Sequence, residues 1–213
     1  MKKALLFLVF LLMFSLSLGM LVGCGGDEPA VEEEPAAEEP ADDADIYDFP
    51  ENKEAMEHIL GLVIELGESL EEMEPEPGYY GDLHDAVVAD GNRQGPEHLE
   101  LYEIFNEWQN EVGATYLYSF IDGGDGNMLI IVDGAEPEDM DPYGYEYPYE
   151  PWTVDAYETG EPQVAKDAWE DGYGYGLQKS AFYPIRNSDG EIAFLLGIDD
   201  PVPELEEFPE IIN

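Results

Sequence analysis

Cysteine occurs once in these 213 residues, histidine three times, and lysine and arginine together seven times against 51 acids. With Cys24 as the lone thiol, no disulfide closes within the chain and no cysteine pair exists for a structural metal. Stability has to come from an ordinary apolar core. The shortage of cations excludes nucleic acid as a partner, because phosphate contacts need clustered Lys and Arg. It excludes electrostatic attachment to anionic lipid for the same reason. His58, His84 and His98 are scattered, with no HExxH and no metal-ligand spacing, so each reads as a surface or helix-edge residue. Ser69, Ser119, Ser180 and Ser188 lie in no nucleophile elbow. Acid pairs are so frequent that a two-carboxylate glycosidase site could be drawn anywhere, which deprives that signal of weight. No catalytic group, metal ligand or cofactor is therefore expected, and an enzyme is the third-ranked class.

A long apolar run occurs only at the start. Lys2 and Lys3 precede Ala4 to Met20, which is apolar apart from Ser15, Ser17 and Gly19. That pattern is a secretory signal, too short and too weakly flanked for a stop-transfer helix. Leu21-Val22-Gly23-Cys24, followed by two glycines, resembles the bacterial lipobox, in which the cysteine sulfur is acylated and the chain is cut just before it. The single cysteine falls on that position. Residues 1–23 are thus expected to be a signal peptide and Cys24 the lipidation site. The mature protein would be extracytoplasmic, anchored to a bacterial membrane by lipid.

Removing that signal takes two cations and no acid from the formal net charge of −44, leaving −46. The acids are spread along the whole chain. Such self-repulsion opposes a compact state in dilute buffer. Molar salt shortens the Debye length to about 3 Å and largely removes the penalty, so a salt-loving source is expected; an acidic surface that faces a polycation, or binds calcium diffusely, is the weaker alternative. Residues 27–45, DEPAVEEEPAAEEPADDAD, have almost nothing to bury and read as an extended tether. The expected division is a lipidated cysteine and tether over 24–47, one domain over 48–203, and a tail over 204–213 without a partner element.

Within the domain, Met56, Ile59, Leu60, Val63, Leu66, Leu70 and Met73 recur at three- and four-residue steps, which predicts an amphipathic helix over 52–73. Pro75, Pro77 and Gly78 stop it. A looser stretch through Tyr79, Tyr80 and Val87 follows. Gly95-Pro96 opens a second helix carrying Leu101, Ile104, Phe105 and Trp108. After Gly113 the period becomes strand-like: 114–121, a turn at 122–127 and 128–132 form an antiparallel hairpin. The turn, DGGDGN, lacks the spacing of a calcium loop. Residues 134–152 form an irregular connection rich in Pro and Tyr. Short helices are expected near 154–158 and 163–169. A closing hairpin follows, with strands over 176–186 and 191–198.

The order of parts, and the words within it, resemble a single Cache domain, the PAS-like extracellular sensor domain of bacterial receptors. Gly113-Ala114-Thr115-Tyr116-Leu117-Tyr118 is similar to the family's entry to the first strand. Ser180-Ala181-Phe182-Tyr183-Pro184-Ile185, Ser188-Asp189-Gly190 and Leu196-Gly197-Ile198-Asp199 are similar to its close. The resemblance covers about residues 52–200. It implies an α+β fold: an antiparallel PAS/Cache-like sheet with a long N-terminal helix packed on one face, and a small-ligand pocket on the other. It implies binding without reaction. A lipoprotein with no module beyond the domain would pass its ligand, or its state, to a separate membrane sensor or transporter.

The residues expected to meet a ligand are Tyr116, Tyr118, Trp152, Lys179 and Tyr183. Lys179 carries the argument. It falls within a strand, and period-two alternation groups it with Leu177, Ala181, Tyr183 and Ile185. An unpaired buried ammonium is costly. It either snorkels to one of the many carboxylates or meets an anionic ligand, most simply a small carboxylate. Asp133 and Asp199 end strands and read as turn caps. Tyr143 to Tyr149 read as cover for the sheet. The alternative to a ligand-binding domain is a structural or interaction lipoprotein whose pocket is filled.

Overall fold

The computed structural model describes residues 45–137 and 139–213. The signal, Cys24 and most of the tether lie outside the described residues. Helix α1 spans Pro50–Met73, its buried stripe of Ile59, Val63, Leu66 and Leu70 following the three- and four-residue spacing of the sequence. Helix α2 spans Tyr79–Asp90, where only a looser stretch was expected. It is bracketed by Gly78 and Gly91, both left-handed, and it buries Tyr80, His84 and Val87. The polar His84 obscured that stripe. Helix α3 spans Pro96–Val112.

Strand β1 (Tyr116–Gly124) and strand β2 (Asn127–Asp133) form the first hairpin. Its tight turn is Asp125-Gly126, both at positive φ, as the right-handed twist of a two-residue hairpin requires. The irregular connection contributes β3 (Glu146–Pro148), paired with β2. Helix α4 covers Pro151–Thr159. The helix expected near 163–169 is absent. Two short strands stand there instead, β4 (Gln163–Val164) and β5 (Trp169–Glu170), both paired with β6. Long strands β6 (Leu177–Arg186) and β7 (Ile192–Pro201) make the closing hairpin.

The sheet runs β3-β2-β1-β7-β6-β4, with β5 also on β6, and every strand pairing is antiparallel. Alternation sends Leu117, Leu196, Ile198, Ala181 and Ile185 to one face, where they meet Ile59, Val63, Leu70 and Phe105 of the helices. Tyr118, Phe120, Ile130, Phe182 and Leu195 point the other way, under α4. An α+β fold with the long helix across one face of an antiparallel sheet is what the Cache resemblance implies. The C-terminal segment is not the unpartnered tail expected. Val202, Leu205 and Ile211 are buried against Ala55, Ala168 and Leu177, and Ile212 bridges Ala168. Three prolines did not prevent this, because the segment packs as short 3-10 turns. Among the described residues, no helix is long and apolar enough to cross a membrane.

Candidate functional site

A cavity of about 280 Å3 opens on the sheet face away from the three long helices. Its floor is the alternating set from the central strands: Tyr116, Tyr118 and Phe120 of β1, Ser180 and Phe182 of β6, and Asp199 of β7. The walls come from the connection and from α4, through Tyr147, Glu150 and Trp152, and from Trp169 and Asp171. Small residues make room for the floor. A Cβ on Gly197 would sit 2.4 Å from the Tyr118 ring, so that ring packs against β7 there only because position 197 has no side chain.

Polar groups on the floor are linked. The Tyr118 hydroxyl donates to Asp199 Oδ1 at 3.1 Å, and the Ser180 hydroxyl also bonds to Asp199. Trp169 Nε1 in turn donates to Ser180 Oγ at 3.1 Å. Asp199 is 4% exposed. Burial raises its pKa to about 7, with the neighbouring Asp133 and Asp171 adding to the shift and the two hydroxyls opposing it. Asp199 therefore caps no turn; it is a mid-strand carboxylate held under the cavity. Asp133 does act as a turn cap, accepting the backbone N–H of Ala135 at 2.9 Å and of Asp141 at 2.6 Å, while also facing the cavity. Asp171 accepts from the Tyr116 hydroxyl at 3.0 Å and from the backbone N–H groups of Tyr173 and Tyr175 at 2.7 and 3.0 Å.

Of the residues singled out in the sequence, Tyr116, Tyr118 and Trp152 line this cavity. Lys179 and Tyr183 do not, and the expectation that they meet the ligand with Tyr118 is corrected. They share a face with each other, as alternation requires, but it is the helix face. The Tyr183 ring packs where a Cβ on Gly67 of α1 would stand, and its hydroxyl reaches Glu71 at 3.4 Å. Lys179 has no exposed surface. Its ammonium donates to the carbonyls of Ala165, Lys166 and Asp167 at 3.2, 3.0 and 2.9 Å. Burial lowers its pKa to about 8, against the pull of Asp167. Three backbone acceptors thus replace both the carboxylate partner and the ligand anion that the sequence suggested, and they pin the segment between β4 and β5.

Two of the three histidines also differ from expectation. His58 is exposed and pairs with Asp200, but His84 and His98 are buried. His84 Nε2 lies 2.9 Å from Ser119 Oγ, and its ring stacks on Phe194 at 4.3 Å. This serine–histidine contact has neither the access nor the basicity of a catalytic pair. Both residues are fully buried, Ser119 Oγ also receives the Val132 N–H at 2.9 Å, and burial drives the imidazole pKa down to about 3. Sequence reasoning missed Asp199, Trp169 and Asp171 as cavity residues. Asp199 was legible through its parity with Gly197, which the strand end at 198 cut off. Trp169 falls in the helix expected near 163–169, and Asp171 lies between that helix and the strand expected from 176, where no element is read.

No protein-family model matches this sequence, and no curated protein matches it. Solved structures similar to it include the sensory domain of the Campylobacter jejuni chemoreceptor Tlp3. The identity is 14% and the TM-score 0.35, with 78% of this chain and 66% of that chain covered. The ligand-binding domain of the same receptor in complex with L-valine is 15% identical at a TM-score of 0.34, covering 80% of this chain and 67% of that one. The chain spans about two thirds of the length of these receptor domains.

Proposed function

We propose that this chain is an extracytoplasmic, lipid-anchored domain that binds a small molecule and passes its occupied state, or the ligand, to a separate membrane protein. It acts by binding, without catalysis. The observation that carries this reading is the cavity of about 280 Å3 over the central strands. It lies just below the roughly 300–1,000 Å3 typical of ligand pockets, and it combines aromatic walls with polar groups, as they do. At about 30 Å3 per molecule it has room for about nine waters, and so for a metabolite of similar heavy-atom count. A structural lipoprotein with a filled pocket would have closed this space with larger side chains.

The test is a thermal-shift screen of chemically diverse metabolites on the full-length chain in molar potassium chloride. At least one class is expected to raise the melting temperature in a saturable manner. A flat response to acids, amines, sugars and nucleosides alike would overturn the binding role in favour of the structural one. The anchor is tested separately: Cys24→Ala is expected to block labelling by a fatty-acid analogue in the producing cell, and efficient labelling of that variant would show the lipobox to be incidental.

A further inference from the structure

The cavity has an electrostatic character that its volume alone does not specify. Seven acidic residues are among those that line it, from Asp199 and Asp133 on the floor to Asp167, Asp171 and Glu150 on the walls. Among the described residues, no lysine, arginine or histidine lines it. Two cations near its lining residues have partners of their own. Lys179 gives its ammonium to three carbonyls, and Arg93 reaches the Asp141 carbonyl at 3.1 Å from outside the wall. The hydrogen bonds that the cavity carboxylates receive come from tyrosine and serine hydroxyls, backbone amides and, for Asp167, Asn213. The charges of Lys179 and Arg93 act on Asp167 and Asp133, whereas no cation acts on the buried Asp199.

An anionic ligand would enter against that charge and find no partner, which removes the small carboxylate as the candidate. A zwitterionic amino acid would place its ammonium well and its carboxylate badly. A metal ion needs oxygens converging on one point, and among the described residues no group of three or more potential ligands does so. What the walls offer instead is aromatic faces. Tyr116, Tyr118, Tyr147, Trp152, Trp169 and Phe182 surround the space, and the negative faces of such rings attract a diffuse positive charge most strongly when it is desolvated.

We propose that the ligand of this cavity is a small organic cation, an amine or quaternary ammonium ion, held between aromatic rings and neutralised by Asp199 and Asp171. This rests on the reading of the cavity as a binding site and names the class of molecule it takes. Asp199 lies beneath the rings with its carboxylate fixed by Tyr118 and Ser180. Asp171 stands at the wall, fixed by Tyr116 and two backbone amides. The cation displaces no salt bridge from Asp199 or Asp171, whose partners are hydroxyls and backbone amides.

The test is calorimetric titration of the full-length chain in molar potassium chloride with five probes: choline, its neutral isostere 3,3-dimethylbutan-1-ol, putrescine, L-valine and propionate. Choline or putrescine is expected to bind at least about tenfold more tightly than the alcohol, the valine or the propionate, since a desolvated cation–π contact alone amounts to about that factor. Asp199→Asn and Asp171→Asn, made separately, are each expected to weaken cation binding about tenfold or more. If the alcohol, valine or propionate binds as tightly as the cations, or if both variants bind them unchanged, the charge assignment falls while the binding domain stands. Silence from all five probes, together with a flat metabolite screen, overturns both.

Discussion

Asp199→Asn should stabilise the protein, and the size of that gain is fixed by the carboxylate's surroundings. In the folded protein its pKa is about 7, against an ordinary value of 3.8. Below pH 3.8 both states are protonated and the group contributes nothing. Between 3.8 and 7 the native state holds the proton more tightly than the unfolded chain, so stability falls as pH rises. Above pH 7 both states are ionised and the full penalty is present. Three units at about 1.36 kcal/mol each give a penalty of about 4 kcal/mol. Asparagine still accepts from the Tyr118 hydroxyl but loses the charge that strengthens the bond, which discounts the gain by about 1 kcal/mol. At pH 8 the variant should therefore be about 3 kcal/mol more stable than the wild type, or roughly 6–12 °C in melting temperature for a domain of this size.

At pH 5 most folded molecules already carry the proton on Asp199. The penalty there shrinks to about 2 kcal/mol, and after the same discount the two proteins should melt within a few degrees of each other. Other cavity carboxylates with raised pKa values, such as Asp167 and Glu150, are present in both proteins and cancel in the difference, and the repulsion between Asp199 and Asp133 is already contained in the Asp199 shift. The assay is urea denaturation of both proteins at pH 5 and pH 8 in molar potassium chloride, which screens the surface charge. A variant no more stable at pH 8 than at pH 5, relative to the wild type, would refute the reasoning. A residue that lowers stability at neutral pH while its conservative replacement weakens binding is what a ligand-directed carboxylate predicts.

Gly197→Ala should cost about 1–3 kcal/mol by forcing the Tyr118 ring off the β7 backbone, and should weaken ligand binding with it. Unchanged urea midpoints would show that the ring has room to move. Lys179→Met should lower stability by about 2–3 kcal/mol through the loss of three buried hydrogen bonds at about 1 kcal/mol each, while the preference among charged probes persists. An unaltered midpoint with lost selectivity would instead place the ammonium at the ligand. The melting temperature of the wild type should climb steeply from dilute buffer to molar salt, equally in sodium and potassium chloride, because screening relieves self-repulsion. A flat profile would mean that the acidic surface carries no such cost.

The long elements and their two faces were legible because each rests on a simple period: Ile59, Val63, Leu66 and Leu70 for α1, and Leu117 against Tyr118 for β1. Short elements were not. Strands β4 and β5, two residues each, carry no period of their own and exist because β6 offers them an edge, so a local reading gave a helix. The same limit explains the site. Parity correctly placed Lys179 with Ala181, Tyr183 and Ile185, yet parity says only that residues share a face, and not which face is covered by helix and which by cavity. That choice follows from Gly67 and Gly197, one admitting Tyr183 against α1 and the other admitting Tyr118 against β7. Each glycine marks the face on which its tyrosine lies. Taken with parity, they put Tyr183 and Lys179 on the side of α1 and leave Tyr118, Ser180 and Asp199 to the other. The acids that crowd this sequence hid the one that matters. Asp199 stands out only once the fold removes it from water, with two hydroxyls fixing it and no cation facing it.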